Sequence, residues 1–237
     1  MPLRELADRR NLLHRRSDAA TVLKHALTDP RLGRTAIVSS FGAESVVLLH
    51  MAAQIDRDVP VIFLDTEMLF HETLDYQRDV AARLGLRDIR IVRPDRSALL
   101  ARDVDGLLHQ VDPDACCNLR KTQPLENALQ DFGSWISGRK RFQNGQRAQL
   151  PFFEKDGPHI KINPLANFTP VQASAYIAAH DLPRHPLVAQ GFPSVGCRPC
   201  TTKVHAGEDQ RAGRWRDTDK TECGIHLAAR QKEDSLT

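Results

Sequence analysis

The feature that most constrains the fold is an alternation of short β-branched runs with helical segments between residues 35 and 110. Residues 35–40 read as a strand, 44–55 as a helix and 59–64 as a second, buried strand. A helix follows over 71–84, a third strand over 89–92 and a helix over 98–110. Strands alternating with helices imply α/β architecture, a doubly wound parallel sheet with right-handed crossovers and helices on both faces. Residues 1–33 read as helical, with leucines and valines at loosely helical spacing. The second half is less regular. A helix begins near Asp114 and carries Cys116, Cys117 and Lys121; Pro124 should kink it or end it. Strand candidates lie at 135–137 and 159–162 and a helix at 169–179. The chain is then rich in Pro and Gly through Cys200. Two regions are expected: an α/β body over 1–205, and a mobile C-terminal tail over 206–237, where apolar periodicity vanishes.

Five cysteines among 237 residues set the chemistry. The number is odd and four fall in two close pairs, Cys116-Cys117 and Cys197-x-x-Cys200. That pattern argues against a disulfide framework and for metal ligation plus one separate thiol. Zinc commonly uses two C-x-x-C knuckles. Adjacent helical cysteines point roughly 100° apart and suit one ion poorly. A cubane accepts each thiolate on a different iron, so [4Fe–4S] is favoured over zinc, with two metal-free buried thiol pairs as the plain alternative. Cys223 stands alone in Glu222-Cys223-Gly224-Ile225-His226. Basic neighbours would raise its thiolate fraction and make it a nucleophile.

The formal net charge is only +3, which gives no support to a cationic nucleic-acid coat. No apolar stretch is long enough to span a membrane. The Arg-rich N-terminus lacks the apolar core of a secretory signal. A turn of small residues, Ser39-Ser40-Phe41-Gly42-Ala43, lies between a strand and a helix, a geometry that points backbone N–H groups at an anion. A simple capped βα turn would look the same. Asp65-Thr66 closes the second strand at the same sheet edge and would equally serve as a helix cap.

Six segments together resemble the assimilatory adenylyl-sulfate (APS) reductase branch of the APS/phosphoadenylyl-sulfate (PAPS) reductases. They are SSFGAES (39–45), LDTEMLFHET (64–73), CCNLRKTQPL (116–125), WISGRKRFQ (135–143), GCRPCT (196–201) and GEDQRAGRW with ECGIH (207–226). The resemblance implies a fold like the adenine-nucleotide α-hydrolases, the PP-loop group. Phe41 stands where those ATP-splitting enzymes carry a glycine, and its bulk would crowd a pyrophosphate. Departures from the family pattern include Glu67 after Asp-Thr and Lys140 in an Arg pair.

The resemblance further implies a reaction. Cys223 attacks the sulfur of APS, AMP leaves, and a thioredoxin-type dithiol releases sulfite from the Cys223 S-sulfonate. It implies that Cys116, Cys117, Cys197 and Cys200 hold a [4Fe–4S] cluster. Lys121, Arg211, Arg214 and His226 would hold the sulfate end and Arg147 the phosphate. Ser39, Phe41, Gly42 and Gly138 would line the nucleotide, and Leu64 would offer backbone groups to adenine. A PAPS reductase of the same fold and a zinc-containing PP-loop adenylating or thiolating enzyme are the alternatives. A homo-oligomer is compatible with the sequence, which does not set an oligomeric state.

Overall fold

The computed structural model describes residues 1–143, 145–216, 218 and 220–226. Two N-terminal helices, α1 (Leu3–His14) and α2 (Ala19–Thr28), precede a six-stranded sheet. Its strands are β1 (Thr35–Ser39), β2 (Val61–Leu64), β3 (Ile89–Val92), β4 (Ser134–Ile136), β5 (Phe153–Asp156) and β6 (His159–Ile162). The order is β3-β2-β1-β4-β6-β5. Every neighbouring pair is parallel except β5 with β6. Central parallel strands must be apolar on both faces because helices cover both. Ile37, Val61, Phe63 and Ile136 accordingly face one layer. Ala36, Val38, Ile62, Leu64 and Trp135 face the other, with Leu125, Leu129 and Phe132. Each large side chain so buried contributes about 1.5–3 kcal/mol.

Between the strands run α3 (Ser45–Ala53), α4 (His71–Leu84), α5 (Arg96–Arg102) and α6 (Leu108–Val111). Gly85, in the left-handed region at φ 67°, ends α4. The single helix expected over 98–110 is in fact two. Asp103 interrupts it, because its buried carboxylate accepts from Arg120 Nη2 at 2.6 Å and from the Leu108 N–H at 2.8 Å. Those bonds are worth more than continuing the helix.

The cysteine helix also departs from expectation. Pro124 does not end it: α7 (Pro113–Cys117) passes through one π turn (Asn118–Thr122) into α8 (Gln123–Ala128). The Gln123 N–H reaches back five residues to Asn118 O. That wide turn absorbs the proline, whose missing N–H and ring an α register could not take. Strand β5 escaped the sequence reading, although Asp156-Gly157 marks its hairpin turn and Gly157 has φ 57°. Its exposed edge is covered by α1, where Asn11 exchanges two hydrogen bonds with the Phe153 backbone. Helix α9 (Pro170–Ala179) starts on a Thr169/Gln172 capping box. No described helix is long and apolar enough to cross a membrane.

The chain runs outward through β1, β2 and β3, then returns to place β4 on the other side of β1. The switch point therefore lies between β1 and β4, where open α/β sheets hold their ligands. Residues 206–216, 218 and 220–226, expected as a tail, are docked across that edge. The tail beyond 226 lies outside the described residues.

Candidate active site

A cavity of about 580 Å³ opens at the switch point. Its floor is the carboxyl edge of the sheet: Ser39, Gly42, Leu64 and Gly138. Around it stand Lys121, Arg147, Cys197, Arg211, Arg214, Cys223 and His226. These residues come from segments up to 187 positions apart, from Ser39 to His226. The sheet edge and the docked C-terminal segment bring them together.

Phe41 is the exception among the expected lining residues. Its ring is fully buried beneath the turn, edge-on to Phe63 at 5.3 Å between centroids. It therefore cannot crowd a bound phosphate, and the steric argument from its bulk fails. Its backbone N–H is held by Ser39 Oγ at 3.1 Å. Phe41 adopts φ 45°, a region that glycine enters at little cost. Burial of the ring offsets the strain of a non-glycine residue there.

The C-terminal segment is anchored by Glu222, a residue the sequence reading left without a role. Its carboxylate accepts from Arg147 Nε at 2.6 Å and Nη2 at 2.7 Å, and from the Cys223 N–H at 2.9 Å. Arg211 approaches the same group at 3.8 Å. Burial opposes ionisation of Glu222, but the Arg147 hydrogen bonds and charge hold its pKa below the usual carboxylate value. Arg147 thus lines the cavity while paired with a carboxylate. Burial pushes Arg211 down to about 10, with Arg147 and Arg214 adding repulsion.

Arg214 lies over the Trp215 ring at 4.4 Å and donates to Cys200 O at 3.3 Å. Gly196 leaves room beside it, since a Cβ there would meet the guanidinium and push it aside. Among the described residues neither Arg214 nor Lys121 is ion-paired with a carboxylate. Burial pulls the Lys121 pKa down, but the fields of Cys197, Cys223 and Cys117 outweigh it and keep the ammonium charged.

His226 stacks on Trp135 with centroids 6.2 Å apart and planes 12° from parallel. Its Nδ1 is buried without a hydrogen-bond partner among the described residues. Burial, reinforced by Lys161, Arg139 and Arg147, drives its pKa well below 6.5. It is thus a neutral imidazole and adds no cation to the site. Lys161, also absent from the sequence reading, donates to Ile225 O at 3.1 Å and holds that end of the segment.

Cys223 is half-buried. A hydrogen bond from Cys117 lowers its pKa first; burial opposes this, and Lys121 and Arg214 assist. Of the other cysteines, Cys197 lines the same cavity. The Cys197 carbonyl accepts from the Cys200 N–H at 3.1 Å and from Thr201 Oγ1 at 2.8 Å. Bridges Leu69–Cys197 and Thr201–Arg214 tie this knuckle to the sheet edge and to the C-terminal segment. Burial pushes Cys116 up to about 11, with Cys197 and Cys200 close enough to contribute.

Among the described residues no group of three or more His, Cys, Asp or Glu side chains stands in metal-binding geometry. The donor chemistry is that of a thiolate centre. Cys116, Cys197 and Cys200 feel one another's charge, Cys117 hydrogen-bonds with Cys223 instead, and cations from Arg120, Lys121, Lys220 and Arg214 act on these thiols.

Comparison with known proteins decides the family. Residues 34–203 match the model of the phosphoadenosine phosphosulfate reductase domain. The chain belongs to that family. An adenosine 5'-phosphosulfate reductase of Mesorhizobium japonicum is 53% identical over 202 residues, 85% of this chain and 79% of the relative. A phosphoadenosine 5'-phosphosulfate reductase of Gloeobacter violaceus is 41% identical over 195 residues, 80% of this chain and 81% of the relative. Among solved structures, the phosphoadenylyl-sulfate (PAPS) reductase of Candida auris, a phosphate complex, superposes with TM-score 0.72 at 26% identity. That match covers 86% of this chain and 98% of the other. An FMN adenylyltransferase of Candida glabrata shares the fold alone, with TM-score 0.54 at 15% identity over 92% of this chain and 81% of the other. The PP-loop-like α/β fold expected from the sequence is the fold observed. The family's members are named for two substrates, so membership alone does not choose between APS and PAPS.

Proposed function

We propose that the chain reduces APS to sulfite and AMP in sulfate assimilation. The observation that carries this reading is Cys223 lining a nucleotide-sized cavity together with Lys121 and Arg214, whose charges favour its thiolate. A nucleophile and two cations that make no carboxylate pair among the described residues are what attack on a sulfate–phosphate anhydride of about two negative charges needs. The 53% identity to an APS reductase supports the choice of substrate.

Cys223 Sγ attacks the sulfur of APS. A bond forms between the two sulfurs, and the bond from sulfur to the bridging oxygen breaks, leaving its electron pair on AMP. Lys121 and Arg214 draw in the sulfate oxygens and stabilise charge as it moves onto the phosphate. Arg147 and Glu222 keep the Cys223 backbone in place during the attack. The segment 206–226 then moves out to present the S-sulfonate. A thiolate of a thioredoxin-type dithiol protein attacks Cys223 Sγ, sulfite departs with the electron pair of the broken S–S bond, and the partner's second thiol resolves the mixed disulfide. The partner's dithiol supplies both electrons, and Cys223 is regenerated.

Cys116, Cys117, Cys197 and Cys200 would hold a [4Fe–4S] cluster, which supplies a fixed charge of about −2 beside the site rather than electrons. Lys121, four residues beyond Cys117, would stand between that charge and the substrate. A reducing cytoplasm suits thiolate ligands and a thiol donor.

The test is anaerobic purification with metal analysis, followed by an assay with APS and thioredoxin on wild type and Cys223→Ser. About four irons per chain are expected, with sulfite release abolished in the variant. Zinc in the purified protein and no sulfite from wild type would overturn the reading.

A further inference from the structure

One buried ion pair on the cavity wall takes no part in the chemistry above. Lys140 is 2% exposed. Its Nζ lies 2.9 Å from the Glu44 carboxylate and donates to Gly138 O at 3.3 Å. Glu44 occupies the N-cap position of α3, directly after the Ser39–Ala43 turn, without capping the helix by its side chain. Both residues line the cavity. A carboxylate at the mouth of an anion-binding turn opposes a nucleotide, so its presence calls for a reason.

The cavity's charges supply one. Six cations line it: Lys121, Arg139, Lys140, Arg147, Arg211 and Arg214. Arg139 is engaged by Glu154, Lys140 by Glu44 and Arg147 by Glu222. The two that make no carboxylate pair among the described residues, Lys121 and Arg214, match the roughly two negative charges of the anhydride. The second family substrate carries one more phosphate on its ribose, about −1.5 to −2 at neutral pH. Among the described residues the remaining cation, Arg211, approaches Glu222 at 3.8 Å, so such a group finds near the sheet only cations already engaged by a carboxylate. To recruit Lys140 it must strip that ammonium from Glu44 and leave a half-buried carboxylate facing the new phosphate. That is discrimination by repulsion against the wrong ligand.

We propose that Glu44 is a specificity-determining residue: by engaging Lys140 it keeps the nucleoside end of the cavity electrically neutral and excludes nucleotides that carry a further ribose phosphate. The inference deepens the APS-reductase reading and rests on it for the physiological substrate, but nucleotide binding measures it separately.

The experiment titrates AMP and adenosine 3′,5′-bisphosphate into wild type, Glu44→Gln, Glu44→Ser and Lys140→Met by calorimetry at low salt. Glu44→Gln frees the Lys140 charge and keeps a hydrogen-bonding group of the same size. The affinity ratio of bisphosphate to AMP should rise by about tenfold in Glu44→Gln, the effect of one nearby unit charge at intermediate dielectric. It should rise in Glu44→Ser as well, which carries the test should the Gln protein fail to fold. In Lys140→Met the ratio should fall. A purely structural role for the pair would weaken both ligands alike, and an unchanged ratio in the folded Glu44 variants overturns the proposal. Turnover of APS and PAPS by the same proteins separates the two readings. A shifted binding ratio with no sulfite from either substrate sinks the reductase and spares Glu44. Sulfite from APS with an unmoved ratio does the reverse.

Discussion

The two ends of the cavity are built on different principles. At the sheet end, cations are neutralised: Arg139 by Glu154, Lys140 by Glu44, Arg147 by Glu222. At the cysteine end, Lys121 and Arg214 face thiols, a tryptophan ring and a backbone carbonyl. The sheet end is set by strands with both faces buried, so its backbone is rigid and its charges are structural. The cysteine end is closed by a segment without regular structure beyond the short turn Gly224–His226, held by a few ion pairs and hydrogen bonds. A reaction that binds a nucleoside and moves charge between sulfur and phosphorus suits this division. The rigid end recognises shape, and the loosely held end carries the nucleophile to two successive partners.

Glu222 joins the two ends, and removing it should do the most damage. Glu222→Ala removes the carboxylate that two nitrogens of the buried Arg147 guanidinium donate to, a cost of about 3–5 kcal/mol. Sulfite release from APS should fall at least about a hundredfold, and limited proteolysis should cut within 206–226 faster than in wild type. A variant with normal turnover would show that the segment is held by something else.

His185 tests whether the cysteine end hangs from the sheet through the chain that leads to Cys197. The ring is buried, takes a hydrogen bond from the Leu187 N–H at 3.2 Å and meets Thr73 Oγ1 at 3.0 Å. Burial lowers its pKa from 6.5 to about 4. The unfolded chain therefore takes up the proton first as pH falls. Stability from this group is full above pH 6.5 and is lost progressively down to about 4, about 3 kcal/mol in all. Urea midpoints measured between pH 7 and 4 should show that slope, and His185→Asn should flatten it.

Lys121→Ala sharpens the contrast in charge. Removing a cation that faces thiolates and anhydride should cost about 2–3 kcal/mol of transition-state stabilisation. Turnover should drop about 30- to 100-fold while iron per chain, measured by metal analysis, stays at the wild-type value. Full activity would remove Lys121 from the chemistry.

Gly196→Ala should have the mildest effect. Its Cβ collides with the Arg214 guanidinium, which can swing aside at a cost of about 1–3 kcal/mol. The KM for APS should rise about tenfold with a smaller change in kcat, read from initial-rate kinetics.

Much of the sheet end was legible in the chain. Helix α4 and strands β3 and β6 stand where periodicity and β-branched runs put them, because local pattern and tertiary burial agree there. Strand β5 was missed because Phe153–Asp156 is an edge strand of mixed polarity whose pairing, not its composition, makes it a strand. The helix that breaks at Asp103 and the π turn before Pro124 were missed for a related reason. Each depends on a long-range partner or a hydrogen-bond register that no local window contains. At the site, the cysteines and Arg214 could be singled out by motif. Glu44, Lys161 and Glu222 could not, since a charged residue in a sequence looks the same exposed or buried.

The sequence by itself determined the class of sheet, the thiol inventory and the candidate nucleophile, because those follow from residue type and spacing. Tertiary structure alone decided which charges are spoken for. Arg147 reads as a lone cation until Glu222 is seen against it, and Phe41 reads as an obstacle until its ring is found beneath the loop. Coulomb pairing and side-chain direction depend on distances in space, and residues 75 positions apart become neighbours only once the sheet edge and the C-terminal segment have closed on each other.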